Sequence, residues 1–318
     1  MDVFKRNTPW IVAFALSLLL VGVYRGLFAA PADFPQENTV NIARGTSAPL
    51  VARALAEARV IAHPSVLLFL LRVSGDSGNV QAGTYRFERR ENVFTIANRL
   101  VTGAYGFPPV RVTFTEGTTV REMAAQLTED FPGISTGDFL DKAGLYEGYL
   151  FPDTYLFPSS ADAASVVAAM RANFNTKIAS SSRDIVASGH TLSDIVIVAS
   201  LIEKEARTIA NKRIVAGILW NRLALGMPLQ VDAVFGYIFN RDTYSPSFED
   251  LKVDSPYNTY THTGLPPGPI SNPGFDSIDA TLHPTKTDYL YYLTGSDNLM
   301  HYATTYAGHQ ANQRTYLP

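Results

Sequence analysis

The segment Ser193–Ala206 constrains the fold most, because a nearly unbroken apolar run ends in two glutamates and a lysine. Five residues share one side of the helix that this spacing predicts: Val198, Leu201, Ile202, Glu205 and Ile209. Glu205 therefore interrupts an apolar stripe. A carboxyl group in a low-dielectric setting tends to keep its proton at neutral pH, which is the state a general acid needs.

Glu203 lies about 200° around the same helix, so the two carboxyl groups are not expected to share one site. We expect Glu203 to point away from any cleft that holds Glu205. The alternative for the whole stretch is a surface Glu-Lys-Glu segment near a helix end.

Composition narrows the function classes. The chain has 318 residues, 46% hydrophobic and 17% charged, which is enough for a large core and predicts two folded units with a terminal extension. A net charge of -3 without a basic cluster gives no electrostatic basis for binding nucleic acid. The absence of cysteine excludes disulfides and thiolate chemistry, and no two histidines have metalloprotease spacing, so we expect neither a metal nor a cofactor.

The N-terminus predicts a membrane anchor. Lys5 and Arg6 precede an uncharged apolar run from Trp10 to Tyr24, which extends to Ala30 if Arg25 reaches the interface. About 20 apolar residues cross a bilayer, and cations before the span place the N-terminus in the cytoplasm. The predicted order is a cytoplasmic N-terminus (1–9), a transmembrane helix (10–30) and a linker (31–37).

A cleaved signal peptide is the alternative, because Ala30-Pro31-Ala32 resembles a small-residue cleavage site. The retained anchor is favoured, since the apolar run exceeds a usual signal core and Pro31 makes cleavage awkward. Either reading exports the folded part of the chain.

Residues 38–109 predict a small mixed α/β unit. Its expected elements are a strand (Thr39–Ile42), two helices (Ala48–Ala58 and Pro64–Val73), a strand (Ala82–Phe87) and a helix (Val93–Leu100). A weak repeat places Gly45-Thr46 and Gly117-Thr118 before short amphipathic helices, and this phrasing resembles LysM glycan-binding modules. Ordinary capped helices are the alternative.

Residues 110–318 predict a larger mixed α+β unit that begins with an alternating strand, Val110–Thr115. The segment Glu147–Phe157 is rich in aromatic residues and contains two acids. Sugar sites combine aromatic platforms with acid acceptors, so a groove is expected there, with Glu147, Tyr149 and Asp153 as contacts. The alternative is a hydrophobic hairpin in which Asp153 caps a turn.

Beyond Glu205, the pattern predicts a helix from Asn211 that ends at Gly226. Gln230 and Asp232 then share one side of an extended segment. The stretch Ser255–Gly274 is dense in proline and glycine, which predicts a long functional loop. A helix (Phe275–His283) and a strand (Tyr289–Leu293) follow.

Several motifs occur in a fixed order: Glu147–Tyr155, Ala199–Glu205, Asn221–Leu223, Gly226–Gln230 with Asp232, Tyr257–Tyr260, Gly264–Ile270 and Ala280–Pro284. Together they resemble the YceG-like family of endolytic murein transglycosylases, from roughly Asn38 to the end. Departures are a short tail after Gln310 and a short membrane span, which leave the C-terminal helix and the anchor length open.

The resemblance implies an α+β protein with a single-pass anchor in the bacterial inner membrane, a LysM-like subdomain and a periplasmic catalytic domain. The family cuts nascent peptidoglycan strands, and peptidoglycan synthases in the membrane are candidate partners. The second glutamate of its Glu-Lys-Glu motif is catalytic and corresponds to Glu205. Motif position and polarity add further candidate sugar contacts: Gln230, Asp232, Asn258 and Tyr260.

The reaction implied is that of a lyase acting on a polysaccharide. Glu205 would protonate the oxygen between N-acetylmuramic acid and N-acetylglucosamine, and then accept the proton of the muramyl C6 hydroxyl as it closes on C1. A 1,6-anhydromuramyl end results.

Three other functions compete with this one. A muramidase would need a second carboxylate, which Asp153 or Asp232 could supply. A noncatalytic peptidoglycan-binding scaffold would need no carboxyl group on an apolar stripe. A serine hydrolase is least favoured, because Ser200 and Lys204 are one residue too far apart and no nucleophile-elbow motif occurs.

Overall fold

The computed structural model describes residues 2–34, 38–131, 133–241 and 245–317, with side chains from Phe14 onward except that of Asn38. Residues 35–37 of the predicted linker lie outside this description. The fold is mixed α+β, as predicted, and separates into two compact units. The first is Met1–Val110 with Pro158–Ser160, and the second is Arg111–Phe157 with Ala161–Pro318.

The first unit contains four helices and one two-stranded sheet among its described residues. Its elements are α1 (Asp2–Leu27), β1 (Asn38–Ile42), α2 (Ala48–Glu57), α3 (Pro64–Val73), β2 (Gly83–Phe87) and α4 (Val93–Thr102). β1 and β2 are antiparallel, with Ile42 opposite Gly83. Buried side chains of the sheet and of helices α2, α3 and α4 form its core. The strands and helices predicted for residues 38–109 are confirmed.

Helix α1 ends at Leu27, short of the predicted limit at Ala30. Its apolar part with described side chains is Phe14–Leu27. Within the described residues no single helix is long and apolar enough to cross a bilayer. Two helices of the second unit, Ser182–Ser188 and Leu192–Glu205, reach that length and apolar content only together, as a pair bent by 95°. The predicted span at 10–30 stays a prediction.

The second unit carries nine α-helices and two two-stranded sheets in the part of the chain described. Its first half consists of β3 (Val110–Thr113), α5 (Val120–Asp130), α6 (Thr136–Ala143), β4 (Thr154–Phe157), α7 (Ala163–Ala179) and α8 (Ser182–Ser188). Its second half consists of α9 (Leu192–Glu205), α10 (Ile209–Ala224), α11 (Ala233–Phe239), α12 (Phe275–Leu282), β5 (Tyr291–Thr294), β6 (Met300–Ala303) and α13 (Tyr306–Tyr316). β3 pairs with β4, and β5 pairs antiparallel with β6.

Helix α9 is the buried centre of this unit. A capping box between Thr191 and Asp194 starts it, and every residue from Ile195 to Ile202 is buried. The predicted one-sided stripe is therefore too simple, because α9 is surrounded by other elements rather than lying on a core. Ile209 was wrongly placed on the stripe: α9 ends at Glu205, and Ile209 begins α10 with 39% of its surface exposed.

The two glutamates in the last turn of α9 point in different directions. The Glu203 carboxylate forms a buried ion pair with the Lys212 ammonium of α10 at 2.8 Å. It also accepts hydrogen bonds from the Gly274 amide at 2.9 Å and the Ser277 hydroxyl of α12 at 2.7 Å. The surface reading of the Glu-Lys-Glu segment is thus wrong for Glu203, whose side chain joins three helices.

We predict that Glu203→Gln destabilises the protein by roughly 3 to 5 kcal/mol, the range for breaking a buried ion pair, because the buried Lys212 ammonium loses its ion-pair partner. Chemical denaturation of the full chain would measure this. The matched control is Glu249→Gln, which breaks an exposed pair with Lys252 and should cost less than about 1 kcal/mol. Equal stability of the two variants would contradict the structural role of Glu203.

Candidate active site

A cavity of about 530 Å³ opens in the second unit at the end of α9. Its wall combines the start of α5, the end of α9 and the length of α11. The lining residues are Thr119, Arg121, Glu122, Ala125, Lys204, Glu205, Asp232, Ala233, Gly236, Tyr237, Asn240, Arg241 and Ile270. A space of this size suits part of a glycan chain or a small ligand.

Glu205 lies where the helix C-terminus meets this cavity. Burial, and then the negative charge of Asp232, raise the pKa of Glu205 to about 7. The Tyr292 phenol and the Ala233 amide oppose this rise, and the amide donates to Oε1 at 3.4 Å. A carboxyl group with a pKa near neutrality can both give and take a proton at physiological pH.

Asp232 is fixed beside Glu205 by a short hydrogen bond. The Tyr260 hydroxyl donates to Oδ1 of Asp232 at 2.5 Å. Burial and the Asp232 carboxylate raise the pKa of Tyr260 well above its usual range, so the phenol remains a donor. Tyr260 is positioned in turn by Asn258, whose Oδ1 accepts from the Tyr260 amide at 2.9 Å.

Asn258 is fully buried and supports the loop from within. Its amide nitrogen donates to the carbonyls of Leu251 at 3.0 Å and Val253 at 2.9 Å. These bonds engage the group that was predicted to contact sugar. Asn258 supports Tyr260 and does not line the cavity, and its role as a sugar contact stays a prediction.

Gln230 is held on the segment that leads to Asp232. Its backbone is left-handed, with φ of +51°, which is uncommon for a residue other than glycine. The backbone amide of Gln230 donates to the carbonyl of Thr259 at 3.1 Å. The side-chain Oε1 of Gln230 accepts from the buried Arg222 guanidinium at 3.3 Å. Arg222 also donates to three backbone carbonyls, so it fixes the path of the chain into the site.

A sequence profile of the YceG-like family matches residues 40–315. The chain belongs to the YceG-like family. The sequence resemblance is thereby confirmed.

Relatives of this YceG-like chain include named enzymes. A Bacillus subtilis protein named endolytic murein transglycosylase is 31% identical, over 94% of this chain and 91% of its own length. A Streptococcus pneumoniae protein of the same name is 27% identical, over 93% of this chain and 63% of its own length. A crystal structure of a YceG-like protein from Listeria monocytogenes has a TM-score of 0.60 at 28% identity, covering 87% of this chain and 99% of that one.

The aromatic segment before α7 packs mainly into the protein. Leu150, Phe151 and Phe157 are buried, and Tyr149 meets Phe174 edge to face at 5.2 Å. These contacts favour the hydrophobic alternative over a groove. The sequence pattern was ambiguous because aromatic residues suit both cores and sugar platforms.

The two acids of this segment have protein partners. Asp153 accepts from Asn173 at 3.1 Å, and this bond is the largest cause of its lowered pKa. Glu147 accepts from the Val120 amide at 3.1 Å and from Asn272 at 3.0 Å, which caps the start of α5. Burial raises the pKa of Glu147 to about 7. Tyr149, Asp153 and Glu147 do not line the cavity, and their roles as sugar contacts stay predictions.

Several lining residues were missed from the sequence. Arg121, Lys204 and Arg241 bring positive charge to the cavity from three separate parts of the chain, so no local sequence pattern predicts that they meet. The Thr119 and Glu122 capping box could have identified the start of α5. Among the described residues, no group of three or more His, Cys, Asp or Glu side chains is arranged to hold a metal ion.

We predict that Asp232→Asn lowers the pKa of Glu205, because the variant removes a negative charge that disfavours the ionised carboxylate. A titration of the Glu205 carboxyl carbon by NMR, assigned with Glu205→Gln, would measure the midpoint. Asp153→Asn is the control and should leave the midpoint in place. A midpoint that stays or rises in Asp232→Asn would refute the coupling.

Proposed function

We propose that this chain is an endolytic peptidoglycan lytic transglycosylase in which Glu205 acts first as general acid and then as general base. The observation that carries the proposal is the Glu205 carboxyl group, which lines the cavity and has a pKa raised to about 7. Membership of the YceG-like family and the similarity to Bacillus and Streptococcus proteins named endolytic murein transglycosylase support the same activity.

In the first step, neutral Glu205 donates its proton to the glycosidic oxygen between N-acetylmuramic acid and N-acetylglucosamine. The bond from muramyl C1 to that oxygen breaks, and positive charge develops at C1. Glu205 is then a carboxylate, which the Ala233 amide stabilises. Asp232 lies close to this carboxylate and can stabilise the developing cation electrostatically.

In the second step, the muramyl C6 hydroxyl attacks C1 and its proton passes to Glu205, which returns to the neutral state. The product carries a 1,6-anhydromuramyl end. An intramolecular nucleophile removes most of the entropic barrier and makes a positioned water unnecessary. One carboxyl group with a pKa near neutrality is therefore sufficient for both steps.

A muramidase is the second candidate, because Asp232 supplies a carboxylate near Glu205. An inverting or retaining hydrolase uses such a pair to activate water or to form a covalent intermediate. Here Oδ1 of Asp232 accepts a short hydrogen bond from Tyr260, and the named relatives favour the transglycosylase. A noncatalytic scaffold would not explain the raised pKa of Glu205.

The remaining parts of the chain have proposed roles in the cell envelope. Residues 10–30 form a single-pass anchor in the bacterial inner membrane, with the catalytic unit, 110–318, in the periplasm. Residues 38–109 form a LysM-like unit that binds glycan, and the left-handed Gly45 placed before the short helix α2 supports this role. Nascent glycan strands are the substrate, and membrane peptidoglycan synthases are candidate partners.

We predict that Glu205→Gln lowers turnover on peptidoglycan by a factor of roughly 10²–10⁴, the loss typical of a missing general acid or base. The fold should persist, because the amide keeps the shape of the side chain. Release of soluble muropeptides from purified murein would measure the rate, with Glu249→Gln as the control. Wild-type turnover in Glu205→Gln would exclude the proposed mechanism.

We predict that the anchor is retained in the mature protein. After carbonate extraction of membranes, the chain should stay in the pellet, and its N-terminal sequence should precede Trp10. A variant lacking residues 1–30 is the control and should appear in the supernatant. A mature chain that begins at Asp33 would instead establish cleavage of a signal peptide.

A further inference from the structure

The phenol oxygen of Tyr292 is an unusual group beside the candidate site. Tyr292 lies on β5, and its hydroxyl is buried without a hydrogen-bond partner in the part of the chain that the structure describes. Buried hydroxyl groups normally have partners, because desolvation without one is costly. We therefore expect a state of the protein in which the Tyr292 hydroxyl has a hydrogen-bond acceptor.

The surroundings of Tyr292 identify that partner. Its ring packs on the apolar cluster that contains Ala206, the residue after Glu205, and Ala233, the residue after Asp232, packs on the same cluster. Burial and the Glu205 charge raise the pKa of Tyr292 well above its usual range. The phenol thus keeps its proton at physiological pH, and it can donate to a carboxylate.

The position of Tyr292 is fixed from both sides of the strand. It is opposite Tyr302 on β6, whose hydroxyl donates to Asn211 of α10 at 3.0 Å. The buried Arg222 donates to the carbonyl of Leu290, just before β5, at 2.6 Å. These bonds hold the β5–β6 hairpin, and with it the backbone of Tyr292, against α10.

We propose that Tyr292 is a positioning residue for Glu205: its hydroxyl donates a hydrogen bond to the Glu205 carboxylate that exists between the two proton transfers. The reaction in which this occurs rests on the proposed function. When neutral Glu205 gives its proton to the glycosidic oxygen, the Tyr292 hydroxyl gains its missing acceptor. When the C6 hydroxyl returns a proton to Glu205, that hydrogen bond is released, and no proton or electron is consumed.

This arrangement stabilises a charge only where the charge develops. An interaction stronger in the intermediate than in the resting enzyme accelerates the reaction, whereas one of equal strength in both does not. The unpaired hydroxyl of the resting state is then a stability cost that serves catalysis. Asp232 acts in the opposite sense, since its charge favours the neutral acid before the first step.

Three further groups interact with Glu205 or Tyr292, and each comes from a different part of the chain. Asp232 precedes α11, Tyr260 lies in the long loop, Arg222 lies on α10 and faces Tyr292, and Tyr292 itself lies on β5. Lys204, Arg121 and Arg241 line the cavity into which Glu205 opens. All except Tyr292 are unchanged in the variant that tests the proposal.

The test is Tyr292→Phe in the full chain, with Tyr302→Phe as the matched control from the paired strand. The Glu205 carboxyl carbon, titrated by NMR, should show a midpoint at higher pH in Tyr292→Phe, because the carboxylate has lost a donor. Tyr302→Phe should leave it unchanged. A midpoint that is unmoved in Tyr292→Phe, or moved equally in both, would overturn the proposal.

Rates and stability give independent readouts. Turnover on peptidoglycan should fall about tenfold to a hundredfold in Tyr292→Phe, the range for a lost hydrogen bond to a charged group, and the alkaline limb of its kcat/KM profile should move to higher pH. Thermal stability should be equal or higher in Tyr292→Phe but lower in Tyr302→Phe, which loses its bond to Asn211. Lower stability with an unchanged kcat/KM profile in Tyr292→Phe would assign it a structural role and refute positioning.

The proposal and the function on which it rests can fail separately. The carbon titration needs no substrate, so it decides the Tyr292 contact even if Glu205→Gln proves fully active. Conversely, an unmoved midpoint refutes the role of Tyr292 and leaves the transglycosylase proposal in place.

Discussion

The buried ion pair between Glu203 and Lys212 is the interaction on which the rest of the site depends. Removing two charges from water is expensive, and only well-placed hydrogen bonds compensate for it. The Gly274 amide and the Ser277 hydroxyl supply those bonds, so α10 and α12 are tied to the last turn of α9. Since that turn is fixed in rotation, Glu205, two residues later, can only face the cavity.

The pKa of Glu205 is set by opposing influences, of which burial is the largest. Burial and Asp232 favour the neutral acid, while Ala233 and Tyr292 favour the carboxylate. This adjustment costs stability: the pKa of Glu205 is about 7 in the folded protein and near its ordinary 4.5 when unfolded. The folded state therefore binds the proton more tightly, and stability falls as pH rises from about 4.5 towards 7. Glu147, whose pKa is raised to about 7, adds to the same trend.

Local patterns predicted the elements well, and tertiary partners poorly. Helix α3 has the predicted bounds, and α10 ends two residues before the predicted Gly226, because apolar spacing and a glycine stop are local signals. The placement of Glu205 against apolar surroundings also followed from spacing. The hydrogen bonds that Glu203 accepts from Gly274 and Ser277, the cap formed by Glu147 and the influence of Tyr292 on Glu205 join residues far apart in sequence, so no local sequence pattern encodes them.

The central claim is that Glu205 acts alone as acid and base, with a hydroxyl of the substrate as nucleophile. Mass analysis of products formed from purified murein in oxygen-18 water tests this most directly. The account predicts 1,6-anhydromuramyl ends that are lighter than hydrolysis products by one water molecule and carry no label. Labelled reducing ends would show that water attacks C1, and would contradict the account by requiring a second carboxylate beside Glu205.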